Sequence, residues 1–110
     1  MNGPIKYTEG FGGTPGAAFH AVTLLKTLSH EGRLQILCLL LDRDLSVGQL
    51  AEALGLSQPT ASQQLMRLRA EGYLGARRVG KMVIYHLLRQ DVKPIIEALR
   101  DAFCVAPQER

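Results

Sequence analysis

The sequence predicts an α+β, mainly α, winged helix-turn-helix fold: four helices, a β-hairpin wing and a C-terminal helix. Three observations carry this expectation. Ser46 and Gln49 form a capping box ahead of a short helix. Gly55-Leu56-Ser57 then turns directly into a second helix with Pro59 in its first turn. A β-rich run, folded at Gly80-Lys81, follows that helix.

Each element can be justified in order. Residues 1–16 hold five glycines and two prolines without apolar periodicity, so an arm that cannot offset its ordering entropy is expected there. From Ala17 to Leu28, Ala18, Ala21, Val22, Leu25 and Leu28 recur at helical spacing, and Ser29 can cap a second helix. In that helix Leu34, Leu37, Cys38 and Leu41 fall on one stripe, which assigns Cys38 to the core. The third helix starts at the Ser46 capping box, with Leu45 stapled to Leu50, and stops at Gly55. The fourth runs from Gln58 to Glu71, buries Ala61, Leu65 and Leu68, and ends at Gly72. Tyr73–Val79 and Met82–Leu87 form a two-stranded hairpin. Asp91 caps the last helix, whose stripe is Val92, Ile95, Ile96, Leu99 and Phe103.

At 110 residues the chain holds one core, expected over 17–104 between the arm and a short tail, 105–110. The longest apolar run, Ile36–Leu41, falls far short of the roughly 20 residues that cross a bilayer. With no basic-then-apolar leader, the expected location is cytoplasmic and no membrane partner is expected. In a reducing compartment Cys38 and Cys104 are then expected to rest as thiols. A net charge of +3 suits an anionic partner without requiring one. Gly10-Phe11-Gly12-Gly13-Thr14-Pro15 fails as a dinucleotide loop, because Pro15 stands at the third glycine position and no strand precedes it. No paired nucleophile and base and no carboxylate dyad stand at a meaningful spacing, so no enzyme is expected.

A recognition helix buries one face and presents short polar groups near its N-terminus to base edges in the major groove. Opposite the Ala61/Leu65/Leu68 stripe lie Gln63 and Arg67, flanked by Thr60, Ser62 and Gln64, with no carboxylate before Glu71. Ser57, Gln58 and Thr60 occupy the N-terminal turn, where hydroxyls and free amides suit phosphates. Arg77, Arg78 and Lys81 cluster on the wing, placed to meet phosphate or the minor groove. Either feature alone also describes a solvated surface; helix-turn-helix followed by basic wing points to double-stranded DNA. One module covers about one half-site, so a homodimer is expected. The first and last helices carry enough apolar residues for a symmetric interface, and the same residues would also serve to complete a monomer core.

The run Leu50-Ala51-Glu52-Ala53-Leu54-Gly55-Leu56-Ser57-Gln58-Pro59-Thr60-Ala61-Ser62-Gln63-Gln64-Leu65 resembles the ArsR family of bacterial repressors, as do Leu68–Leu74 and Gly80–Tyr85. The resemblance extends from about Ala17 to Cys104 and implies a dimer that occupies operator DNA until an inducer binds. Many members sense metals through cysteine on the third helix or Asp and His on the last. Val47–Leu54 contains neither Cys nor His, and Asp91–Cys104 contains no His, so no metal and no cofactor are expected. His20, His30 and His86 are scattered and read as surface or helix-end residues. One cysteine on the second helix and one at the end of the last is similar to the BigR/SqrR branch. That likeness implies redox sensing of persulfides and related reactive sulfur species by Cys38 and Cys104. Spacing alone reads Cys38 first as a small core hydrophobe, with a regulator gated by another ligand or by general oxidants as the alternative. A winged-helix protein-interaction module is the remaining reading.

Overall fold

Two compact units, Met1–His30 and Glu31–Arg110, make up the chain. The computed structural model describes residues 3–6 and 9–104; the expected tail, 105–110, lies outside the described residues, as do 1, 2, 7 and 8 of the expected arm. In the first unit the residues from 9 to 16 form turns that lead into α1 (Ala17–Leu28), with Gly16 adopting the left-handed φ of 78°. α1 buries Leu24, Thr27 and Leu28, a stripe at i, i+3, i+4. Val22 and Leu25, which their spacing left open to a monomer core or a symmetric interface, are exposed together with Phe19. The helix is apolar on two adjacent sides, so periodicity alone left its rotation open. Ser29 also departs from expectation. Its N–H donates to the Leu25 carbonyl at 2.9 Å and its hydroxyl to the Lys26 carbonyl at 2.7 Å, which closes α1.

The second unit opens with α2 (Glu31–Leu39), where the fully buried side chains are Ile36 and Leu37. Leu40 and Leu41 continue the buried row in the turn beyond it. Cys38 is only half-buried, at the margin of the stripe, because the core-facing row is centred on Ile36/Leu37/Leu40/Leu41 rather than on Leu34/Cys38.

Next come β1 (Leu45–Ser46), α3 (Val47–Leu54) and α4 (Gln58–Ala70). The expected capping box is present in both halves: the Gln49 N–H donates to Ser46 Oγ at 3.1 Å, and the Ser46 N–H donates to Gln49 Oε1 at 2.9 Å. Gly55 stops α3 at φ 68°, and its left-handed turn leads to Ser57, whose Oγ accepts from the Thr60 N–H at 3.3 Å. Ala61, Leu65 and Leu68 are buried without remainder, as their spacing required.

β2 (Leu74–Val79) and β3 (Met82–Leu87) pair antiparallel from Leu74↔Leu87 to Val79↔Met82. Gly80 takes φ 61°, the position that a two-residue hairpin turn reserves for glycine. The hairpin gains a third strand that periodicity did not show: β1 pairs with β3, Leu45 opposite Tyr85 and Ser46 opposite Ile84, giving the order β1-β3-β2. This ties the start of α3 to the wing. A 3-10 turn, Gln90–Val92, precedes α5 (Lys93–Phe103). Asp91 therefore does not cap α5; its carboxylate accepts from Arg89 at 2.7 and 3.2 Å, while Pro94 stands in the first turn as expected. Arg89 in turn lies 5.1 Å from the centre of the Tyr73 ring. Val92 and Ile96 are buried, but Ile95 and Phe103 are exposed, so only one row of the expected stripe reaches the core.

Candidate nucleic-acid interface and dithiol

The capped start of α4 is where local sequence becomes surface chemistry. Ser57 and Thr60 hold each other, hydroxyl to hydroxyl, at 2.9 Å, so the first turn is fixed while both side chains remain exposed. Buried Ala61, Leu65 and Leu68 fix the rotation of α4, leaving Gln58, Gln63 and Arg67 in solvent. Met66, three residues beyond Gln63, is 61 % exposed on the same outward side and was not singled out from the sequence. The helical step of 100° per residue was the signal that would have found it. Arg67 leans on Glu71 at 3.4 Å. Ser62 is half-buried with its hydroxyl 3.9 Å from the Met66 sulfur.

Gln64 is placed differently from its neighbours. Its Oε1 is buried and accepts no hydrogen bond, which turns that end of the amide away from the exposed face. Residues from three elements share one cleft of about 560 Å³: Ser46 and Gly48 at the start of α3, Gln58 and Ser62 of α4, and Lys81 and Met82 at the wing tip. The sequence-predicted Gln58, Ser62 and Lys81 are thus brought together by the sheet that anchors β1 to β3. On the wing Arg78 and Lys81 are exposed, whereas Arg77 is committed to Asp44, its Nη1 donating to Oδ2 at 2.7 Å.

His86 is not the surface residue expected. Half-buried in β3, it lies opposite Gly75 of β2, and a Cβ at Gly75 would collide with its ring. Its Nδ1 is buried without a hydrogen-bond partner.

The two cysteines are free thiols, Cys38 half-buried on α2 and Cys104 exposed at the end of α5, where its N–H donates to the Arg100 carbonyl at 2.8 Å. α2 and α5 pack together, and Arg100 Nη1 donates to Asp42 Oδ2 at 2.9 Å across that contact. Burial pushes the Cys38 thiol above its ordinary range; the Arg100 guanidinium opposes the rise, and negative charge at Cys104 and Asp42 adds to it. The packing of α2 on α5 places Cys38 and Cys104 on adjoining elements.

A capped helix-turn-helix, a basic wing and a shared cleft on one side of the second unit define a winged helix-turn-helix DNA-binding regulator. The bacterial regulatory protein model of the arsR family matches residues 30–75. The transcriptional activator HlyU of Vibrio cholerae is 48 % identical over 80 % of this chain and 82 % of its own. The solved HlyU structure from Vibrio cholerae superposes with a TM-score of 0.77 at 43 % identity, covering 84 % of this chain and 100 % of that one. The solved transcriptional repressor BigR from Xylella fastidiosa gives 0.74 at 40 % identity, over 81 % and 91 %. The chain belongs to the arsR family, whose members are transcriptional regulators and not enzymes.

Proposed function

We propose that this protein is a homodimeric repressor that occupies operator DNA and leaves it when Cys38 and Cys104 are oxidised by a persulfide or a related reactive sulfur species. What supports the reading is the placement of two free thiols on elements that pack together, Cys38 on α2 and Cys104 at the end of α5. A thiolate attacks the outer sulfur of RS–SH, the S–S bond breaks, and RS⁻ leaves to be protonated as RSH. The second thiolate attacks the persulfidated cysteine at its own sulfur and expels HS⁻. Two thiols and one RSSH thereby become one disulfide, RSH and hydrogen sulfide, and each further sulfur retained in the bridge consumes one more RSSH and releases one more RSH.

Such a bridge would join α2 to α5. If α5 also forms the dimer surface, the covalent tie biases how the two recognition helices are presented to DNA, a two-state change coupled to affinity. Exposed Ile95 and Phe103 on α5 supply apolar area for that surface, and α1 of the other unit has its own exposed apolar residues in Phe19, Val22 and Leu25. The relatives bear both activator and repressor in their names, and release on oxidation is the sense we assign here.

On α4 the reading gives base contacts to Gln63, with Ser62 beside it, and phosphate contacts to Ser57, Gln58, Thr60 and Arg67, while Arg77, Arg78 and Lys81 of the wing also meet phosphate; Gln64, its amide turned inward, supports Gln63 from behind. The test treats the reduced protein with a persulfide donor, then measures intact mass and operator binding on the same sample. A bridged species with weakened binding is expected, and Cys38→Ser or Cys104→Ser remains bound. A double serine variant that still releases DNA removes the dithiol from the mechanism.

A further inference from the structure

We propose that Met66 is a specificity-determining residue of the DNA-binding surface, its thioether packing against the C5-methyl group of one thymine in each operator half-site. The inference rests on the reading of α4 as the helix that enters the major groove, and it names a base contact which that reading leaves unassigned. Of the large apolar side chains on α4, Leu65 and Leu68 are buried, whereas Met66 is 61 % exposed. Single exposed apolar side chains are common on any surface; what sets Met66 apart is its direction. The Ser62 hydroxyl donates to the Met66 sulfur at 3.9 Å, one turn nearer the start of the helix. Met66 therefore runs back along α4 toward the turn that holds Ser62 and Gln63, as long helical side chains do.

Helical steps of about 100° put Pro59, Gln63 and Met66 in one row, turned away from buried Ala61, Leu65 and Leu68. Three residues of helix rise about 4.5 Å, against about 3.4 Å between successive base pairs, so Met66 falls within one or two pairs of the base given to Gln63. Thymine is the base that presents an apolar group in the major groove; the other edges offer ring and carbonyl acceptors or amino donors. A thioether has no donor and is a weak acceptor, so it has little to give a phosphate or a guanine edge. Its unbranched, polarisable chain instead moulds itself to an apolar group such as a methyl. The surroundings favour a duplex over an apolar protein partner. Arg67 on α4 and Arg78 and Lys81 on the wing are exposed cations, and α4 carries no carboxylate before the Glu71 that closes it. Lys81 and Ser62 line the same cleft, so the cationic wing tip borders the hydroxyl that holds Met66.

In the experiment the wild-type chain, with both thiols reduced, selects a duplex from a randomised pool. Each thymine of that duplex is then replaced in turn by deoxyuridine, which removes the methyl group and leaves the base's hydrogen-bonding edge unchanged. At one thymine per half-site the loss of the methyl should weaken wild-type binding about two- to fivefold, the scale of one methyl group returned to water. Met66→Gln, similar in length but polar at its end, should bind the two duplexes alike and, because the side chain is exposed, keep the wild-type melting temperature. Met66→Leu should retain part of the discrimination. A uracil penalty of the same size in the wild type and in Met66→Gln would assign the methyl to another side chain and overturn the proposal, as would a wild-type chain indifferent to uracil at every position. Loss of base discrimination in Gln63→Ala alongside either result leaves α4 in the major groove and removes Met66 alone from the readout. A wild-type chain that selects no sequence from the pool overturns the placement of α4, and Met66's contact with it.

Discussion

Gly75 and His86 show how much one residue can depend on a partner across a strand pair. The imidazole fills the space a Cβ would need, so Gly75→Ala should lower stability by about 1 to 3 kcal/mol in denaturant unfolding, the range of overpacked sites. In a His86→Ala background most of that loss should disappear, because the colliding ring is gone; additive losses would show that the ring is not the obstacle. Gln63 stands exposed on the outward side of α4. Its truncation to alanine should cost about 1 to 3 kcal/mol at one operator base pair, and unchanged discrimination in a base-substitution series would place it off the bases. Cys38 carries a pH consequence. Its native value is raised, so the stability it lends is complete below the ordinary cysteine range and drains away as pH climbs through the native value. Cys38→Ser should accordingly flatten the alkaline decline of the melting temperature, whereas an identical decline would assign the effect to another group.

Among the elements, α3 is held at its start by more than a cap. Ser46 is buried, belongs to β1, pairs with Ile84 and accepts from Gln49, so one residue joins the helix-turn-helix to the wing. Ser46→Ala should cost about 1 to 2 kcal/mol in unfolding, the upper part of the capping range, because the Gln49 N–H loses its acceptor in a part-buried bond. A loss near zero would mean that water replaces the hydroxyl. The wing has a different signature. Alanine at Arg78 or Lys81, both exposed, should each reduce the salt slope of operator binding by about one unit with base discrimination unchanged. Arg77, already paired with Asp44, should reduce it less. Equal slopes for all three variants would show that DNA displaces Asp44.

At the scale of the whole molecule, the proposed homodimer predicts an interface built from exposed apolar side chains. Phe103 is 80 % exposed and Leu25 58 %, an arrangement unfavourable in water for a lone chain and natural at a symmetric interface. Leu25→Glu and Phe103→Glu should each shift light-scattering mass toward the monomer and weaken operator binding. A monomeric wild-type chain at micromolar concentration would end the homodimer proposal.

The order of helices, the capping box, the Gly55 and Gly80 turns and the buried row Ala61/Leu65/Leu68 were determined by sequence, because each depends on neighbours within a few positions along the chain. The rotation of α1, the margin position of Cys38, the third strand, the turned Gln64 amide and the commitment of Arg77 and Arg100 to Asp44 and Asp42 were not. Those depend on partners 33 and 58 residues away or on competition between two apolar faces. Short-range rules fix which element forms and where it stops; only packing decides which of its sides is covered and which charges it meets.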